Sequence, residues 1–187
     1  MNSLEFQLKK LTGLLSSLKI DYVVLGGIGV SIYGEPRLTL DIDINIMLDE
    51  EKIDDFLKEA KKYGFYPITS SIKRFVHKTG VIPMRFSKGK VTGICDFIIA
   101  ENPIEYLSIR RGRFKKINST KVKLVTPEDL IIHKITSSRP RDLEDVQGIL
   151  MRQKGKLDIK YIKYWLEKLA KANHKPELLR LFESLLK

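Results

Sequence analysis

Leu25-Gly26-Gly27, followed after a 13-residue spacer by Asp41-Ile42-Asp43, is the stretch on which the reading of this chain turns. Between Leu38 and Leu48 apolar residues alternate with Thr39, Asp41, Asp43 and Asn45, the period of a β-strand. Side chains leave a strand on alternate faces, so Asp41 and Asp43 share a face with about 6.5–7 Å between their backbone positions. Leu40, Ile42, Ile44 and Ile46 are then expected to face the core, which sets the register and holds the acids outward. Two carboxylates forced together call for a compensating positive charge, and a hard divalent cation with oxygen ligands supplies it. Mg²⁺ is the natural choice, with Mn²⁺ as a substitute.

Upstream, Tyr22-Val23-Val24-Leu25 reads as a buried strand that Gly26-Gly27 turns into a short helix, ending near Tyr33. Glycines let the backbone approach an anion, and the helix N-terminus offers N–H donors, so a phosphate is expected there. Asp96, inside the apolar run Ile94-Cys95-Asp96-Phe97-Ile98-Ile99, is a third candidate acid. A two-metal site needs such a carboxylate, which also receives a nucleophile's proton; the competing reading is an ordinary edge-facing acid.

The remaining pattern frames this motif. Leu4, Leu8, Leu11, Leu14, Leu15 and Leu18 predict an amphipathic helix over residues 4–19. Residues 50–63 read as an acid-started, lysine-ended helix capped by Gly64. Strands are predicted at Phe65–Ile68, Arg74–His77, Val81–Phe86 and Lys90–Ile99, followed by a short helix at Pro103–Ser108 and a strand at Lys121–Val125. Thr126-Pro127 then starts a helical series over 127–137, 140–153, 158–172 and 176–186. The expected organisation is an α/β (α+β) core over residues 1–125, with a mixed β-sheet flanked by helices, and a C-terminal helical region over 126–187 packed on it as one unit.

The 187 residues carry 34 Lys and Arg against 23 Asp and Glu, a formal charge of +11. The first 50 residues hold 4 basic and 7 acidic side chains, net −3, and the rest is net +14. An acidic strand inside a basic shell suits a metal-dependent enzyme acting on phosphates, although basic residues also simply solvate helix faces. The lone Cys95 excludes an internal disulfide framework and a Cys-rich zinc site. With no signal-peptide layout and no apolar run near the roughly 20 residues that span a bilayer, a cytoplasmic protein without membrane contact is expected. No Gly-x-x-x-x-Gly-Lys-Ser/Thr occurs, which excludes a Walker-type NTPase.

These residues resemble the nucleotidyltransferase superfamily of the DNA polymerase β type, whose signature is a hydrophobic residue, Gly-Gly or Gly-Ser, a spacer and Asp-x-Asp. Farther on, Thr126-Pro127-Glu128-Asp129-Leu130-Ile131 with Lys134, and the run Arg139 to Val146, are similar to minimal transferases related to the AbiEii toxin family. The resemblance covers residues 22–150. It implies that Asp41 and Asp43 bind two magnesium ions, that Asp96 binds one and deprotonates the acceptor, and that Gly26 and Gly27 cradle the triphosphate. Lys134 would contact phosphate, with Arg37 as a second contact, while Asp142 and Asp145, with Arg141 between them and Arg139, are catalytic in some relatives and structural in others.

The implied activity is Mg²⁺-dependent transfer of a nucleoside monophosphate from an NTP to a hydroxyl on RNA or a tRNA end, a protein or a small molecule. A toxin–antitoxin setting with a small cognate partner protein belongs to the same resemblance. The competing function is a non-catalytic module of this fold acting as antitoxin or partner-sensing subunit. Among bland readings, Lys134 would be a solvent-facing helix residue, and Asp142 or Asp145 would pair with Arg139 or Arg141 as a structural clamp. His77, His133 and His174 lack ligand spacing, and Trp165 beside Tyr161 and Tyr164 reads as helix packing. Arg110, Arg111, Arg113, Lys115 and Lys116 form a basic cluster suited to RNA phosphates.

Overall fold

The computed structural model describes residues 3–39 and 41–186. Leu40, expected to face the core, lies outside the described residues. Helix α1 (Ser3–Ser17) buries Leu8, Leu11, Leu14 and Leu15 completely. The chain continues through β1 (Tyr22–Val24), α2 (Gly26–Tyr33) and β2 (Asp41–Ile46), the last shorter than the sequence alternation implied. After a 3₁₀ turn at Glu50–Lys52 come α3 (Ile53–Tyr63), β3 (Phe65–Pro67), α4 (Ile72–Thr79), β4 (Val81–Lys88) and β5 (Val91–Ile99). Then follow α5 (Pro103–Arg111), β6 (Arg113–Ile117), β7 (Thr120–Leu124), α6 (Pro127–Ser137), α7 (Pro140–Arg152), α8 (Ile159–Ala172) and α9 (Glu177–Leu185).

The strands form one mixed sheet in the order β3-β4-β5-β2-β1-β7-β6. The centre is the parallel pair β2–β5, flanked by antiparallel β4 and β1. Ile42, Ile44 and Ile46 of β2 are fully buried, as their alternation requires. An aromatic cluster consolidates one end, with Phe97 against Phe56 and Phe65 at 5.0 and 5.8 Å between ring centroids and Phe65 against Phe86 at 4.9 Å. Such tilted and edge-on pairs add to the burial of the rings themselves.

Two expectations about the elements are corrected. Arg74–His77 is not a strand but the middle of α4, because Ile72 and Val76, four residues apart, bury on one helical face and Gly80 closes the helix in the left-handed conformation at φ +66°. Arg113–Ile117, read only as a basic cluster, is the edge strand β6, whose four leading residues are exposed and so left no apolar alternation to read. Asp96 is also no edge acid, since β5 lies between β4 and β2.

The start of α6 follows its sequence: Thr126 accepts the Asp129 N–H at 3.2 Å and Pro127 occupies the first turn. Asp129 itself is fully buried, bonded to Arg111 Nε at 3.2 Å and the Tyr161 hydroxyl at 2.7 Å. The Arg111 guanidinium also lies 4.1 Å from the Tyr161 ring centroid. This group ties α5, α6 and α8 together. Trp165 packs edge-on against Tyr164 at 5.6 Å, as a packing residue should. Among the described residues no helix is long and apolar enough to cross a membrane.

Candidate active site

In the parallel register of β2 on β5, Asp43 stands directly opposite Asp96, and Asp41 lies one pleat further along the same face. Burial, then the neighbouring charges of Asp41 and Asp43, push the carboxyls of Asp43 and Asp96 above their ordinary range; for Asp43 the countervailing influences are Lys134, a hydrogen bond from the Gly27 backbone and Arg37. The acids therefore carry more negative charge than the surrounding side chains balance.

Gly26 adopts φ +57°, and a Cβ there would lie 2.6 Å from Asp43 Cγ. A Cβ on Gly27 would lie 2.6 Å from Thr39 Oγ1. The two glycines thus let the N-terminus of α2 close directly onto the acid strand, leaving its first N–H groups beside the carboxylates. Thr39 holds the approach to β2 by donating to the Asp41 carbonyl at 3.0 Å.

Across the cleft, α6 and α7 contribute cations. Lys134 is only 7% exposed, which corrects the solvent-facing reading. Its ammonium lies 2.6 Å from Asp142 Oδ1 and 2.7 Å from Asp145 Oδ2. Asp145 also accepts both Arg37 Nε and Nη2 at 3.2 Å, and Asp142 accepts the Ser137 hydroxyl at 2.7 Å. The acids of α7 therefore clamp Lys134 and Arg37, not the adjacent Arg139 and Arg141. Burial would raise the Asp142 carboxyl, but bonds from Lys134 and Ser137, with the charges of Lys134 and Arg139, hold it below its ordinary value.

Gly26, Gly27, Arg37, Asp41, Asp43, Asp96, Lys134, Arg141 and Asp142 all line one open cleft of about 530 Å³. Asp145 stands just behind it, holding the two cations in place. The wall includes residues the sequence did not single out for chemistry: Thr39, Ser137, Arg139 and His133. Burial drives the His133 imidazole down to about 4, so it is neutral near pH 7. Its Nε2 is 2.9 Å from Ser108 Oγ, whose own hydrogen goes to the Ile104 carbonyl at 2.7 Å. His133 therefore donates from Nε2 and keeps Nδ1 as an acceptor.

Among the described residues no three His, Cys, Asp or Glu side chains converge as a ready-made metal cage. The carboxylates of Asp41, Asp43 and Asp96 on the cleft wall are hard oxygen donors of the kind Mg²⁺ takes, completing its shell with water and substrate phosphate. The mutual repulsion of the three acids and the adjoining N-terminus of α2 fit a cation bound together with a phosphate.

A seven-stranded mixed sheet that presents Asp-x-Asp beside a Gly-Gly helix start is the arrangement of a nucleotidyltransferase. The chain belongs to the family described as nucleotidyl transferase of unknown function (DUF2204), whose model matches residues 5–181. The fold is similar to that of an antigenic nucleotidyltransferase-like protein from Paracoccidioides brasiliensis, at 22% identity and TM-score 0.51, covering 97% of this chain and 91% of that one. It is also similar to the antibiotic-resistance factor ANT(2″)-Ia in solution, at 12% identity and TM-score 0.58 over 93% of this chain and 97% of that one. ANT(2″)-Ia in complex with adenylyl-2″-tobramycin matches at 11% identity and TM-score 0.54, covering 88% and 95%. No curated protein matches the sequence.

Proposed function

We propose that this nucleotidyltransferase moves a nucleoside monophosphate from an NTP to a hydroxyl acceptor with the help of Mg²⁺, for which Mn²⁺ can substitute. The observation that carries the proposal is the juxtaposition of Asp43 and Asp96 on adjacent parallel strands, with Asp41 beside them and the Gly26-Gly27 helix start closed against them. Asp41, Asp43 and Asp96 would hold the cation, which when bound supplies charge neutralisation at the triphosphate and acidifies the acceptor hydroxyl.

The chain's own groups account for the rest. N–H groups at the start of α2 donate to phosphate oxygens, with the helix dipole favouring the anion. Asp96, whose carboxyl is made more basic by burial and then by the charges of Asp43 and Asp41, accepts the acceptor's proton as the acceptor oxygen attacks the α-phosphorus. The bond from the α-phosphorus to the α,β-bridging oxygen breaks, and pyrophosphate leaves with that electron pair. Arg139 and Arg141, exposed at the cleft wall, attract the triphosphate, while Lys134 and Arg37 offset charge deeper in. The AbiEii-like motif around Lys134 and Asp142 supports a toxin role in the cytoplasm, to be tested by growth arrest on expression and its loss in Asp43→Asn.

The biochemical test is incubation with each α-labelled NTP and Mg²⁺ plus tRNA, protein and aminoglycoside acceptors. Label transfer with stoichiometric pyrophosphate release is expected for wild type and not for Asp43→Asn. Absence of transfer to every acceptor class, with the protein folded, refutes the proposal.

A further inference from the structure

The basic cluster between Arg110 and Lys116 does not act as one patch. Arg111 is consumed by Asp129 and Tyr161, and Lys115 lies over the Tyr33 ring at 5.2 Å on the other side of the sheet. A different set of side chains comes together instead. Phe114 pairs across the β6–β7 ribbon with Lys123, and Lys116 with Lys121, so these four project from one face. Val24 registers with both Ile44 and Leu124, so that face is the one carrying Asp41, Asp43 and Asp96. Gly112 agrees, since a Cβ there would touch Val23 and Lys123 together.

Phe114 is 58% exposed, with Lys121 Nζ 4.8 Å from its ring centroid. Lysines on an edge strand are commonly a guard against unwanted strand pairing, but a guard has no use for an open aromatic ring. Phe114 and Lys121 also border a groove of about 630 Å³ at the sheet edge, whose far wall carries Lys9 of α1, a helix packed on the opposite face, and Lys19 just beyond it, with Asp21 beside them. The groove opens where β1 and β7 part: beyond Val24–Leu124 the Lys123 N–H is met by the Tyr22 hydroxyl at 3.4 Å instead of a ladder carbonyl. From Arg110 to Lys123 the sequence holds seven basic residues and no acid.

We propose that this ribbon is a docking surface for single-stranded nucleic acid, with the lysines tracking the phosphates and a base stacked on Phe114. An aromatic ring flanked by cations on a solvent-facing sheet is what stacking recognition of an unpaired strand requires, and a duplex, with its bases already stacked, cannot use it. On that face Phe114 is level with Val23 and Asn45, so it lies three strands across and two residues along from Asp43, about 14 Å and about 7 Å respectively.

The test is fluorescence anisotropy with labelled 12-nucleotide oligo(U) and oligo(dT), a blunt duplex of the same length and heparin, in metal-free buffer without NTP. It is therefore independent of transferase activity. Wild type is expected to bind a single strand in preference to duplex, and Phe114→Ala to weaken that binding at least about fivefold while leaving heparin binding unchanged and Phe114→Trp retaining affinity. Lys116→Gln and Lys121→Gln should each reduce the slope of log affinity against log salt by about 0.7. Absence of single-strand binding, an equal preference for duplex, or equal losses for oligonucleotide and heparin in Phe114→Ala each overturn the proposal. An exposed ring can be removed without unfolding the chain, which a melting curve of Phe114→Ala verifies.

Discussion

Lys134 and Arg37 meet on a single oxygen: Asp145 Oδ2 lies 2.7 Å from the lysine ammonium and 3.2 Å from the arginine Nη2. One residue of α7 thereby holds both inner cations of the cleft, the first from α6 and the second from the loop ahead of β2. Asp145 is 8% exposed, so its charge is sheltered from solvent.

Asp145→Asn should accordingly cost about 3 kcal/mol in urea unfolding, because a buried pair loses one partner while Lys134 and Arg37 keep their charges. Arg37→Gln, whose side chain is 27% exposed, should cost less, about 1 kcal/mol. Equal midpoints for wild type and Asp145→Asn would show that the clamp is not structural.

Asp43→Asn is expected to abolish pyrophosphate release while leaving the melting temperature unchanged or slightly raised, since it relieves repulsion with Asp41 and Asp96. Calorimetry and a pyrophosphate assay on the same preparation separate the two effects. A large drop in melting temperature would instead assign Asp43 a structural role.

Gly26→Ala combines a positive φ with a Cβ driven into the Asp43 carboxylate. The backbone conformation alone costs about 1–2 kcal/mol, and displacement of Asp43 should remove most of the transfer activity. Gly155→Ala, also at positive φ but with nothing within 4 Å, supplies the comparison: a similar loss of stability with activity kept.

The motif that names the site was legible because it is local. Gly-Gly, the spacer and Asp-x-Asp report on a turn and a single strand, and alternation alone put Asp41 and Asp43 on one face. The same locality explains the failures. A solvent-facing alternative for Lys134 stays open in the sequence because its partners Asp142 and Asp145 come from the next helix, and no helical periodicity within α6 reveals a side chain buried by ion pairing. Arg37 and Asp145, 108 residues apart, carry no joint signal in one sequence. β6 escaped notice because an exposed edge strand of lysines has no apolar face, and α4 was misread because Phe75-Val76 looks β-prone when Ile72 is left out of the count.

His133 gives a pH signature. Its imidazole is held at about 4 against 6.5 in the unfolded chain, so between these values the unfolded state binds a proton that the native state does not. Stability contributed by His133 is therefore complete above about pH 6.5 and lost progressively toward pH 4, up to about 3 kcal/mol at roughly 1.4 kcal/mol per pH unit. The difference between wild type and His133→Gln in urea midpoints across pH 4–7 isolates this residue from Asp43 and Asp96, whose raised carboxyls act in the opposite sense. A pH-independent difference would contradict it.

Asn45 offers a further measurement on β2. Among the described residues its amide nitrogen and oxygen are the buried side-chain atoms without a hydrogen-bond partner, and the residue is 1% exposed. Asn45→Val or Asn45→Leu should raise stability by about 1–2 kcal/mol, since an unpaired buried amide costs about that much. Destabilisation of both variants would mean that the amide is satisfied in solution, by water.

The Arg37–Asp145 bridge also bears on how the protein comes into being. A nascent chain emerges N-terminus first, so the glycine turn and all three acids are available well before α7 leaves the ribosome. Until α7 docks, Arg37 and Lys134 lack the carboxylate that holds them together. Placement of the cleft's two inner cations is thereby deferred until α7 has docked.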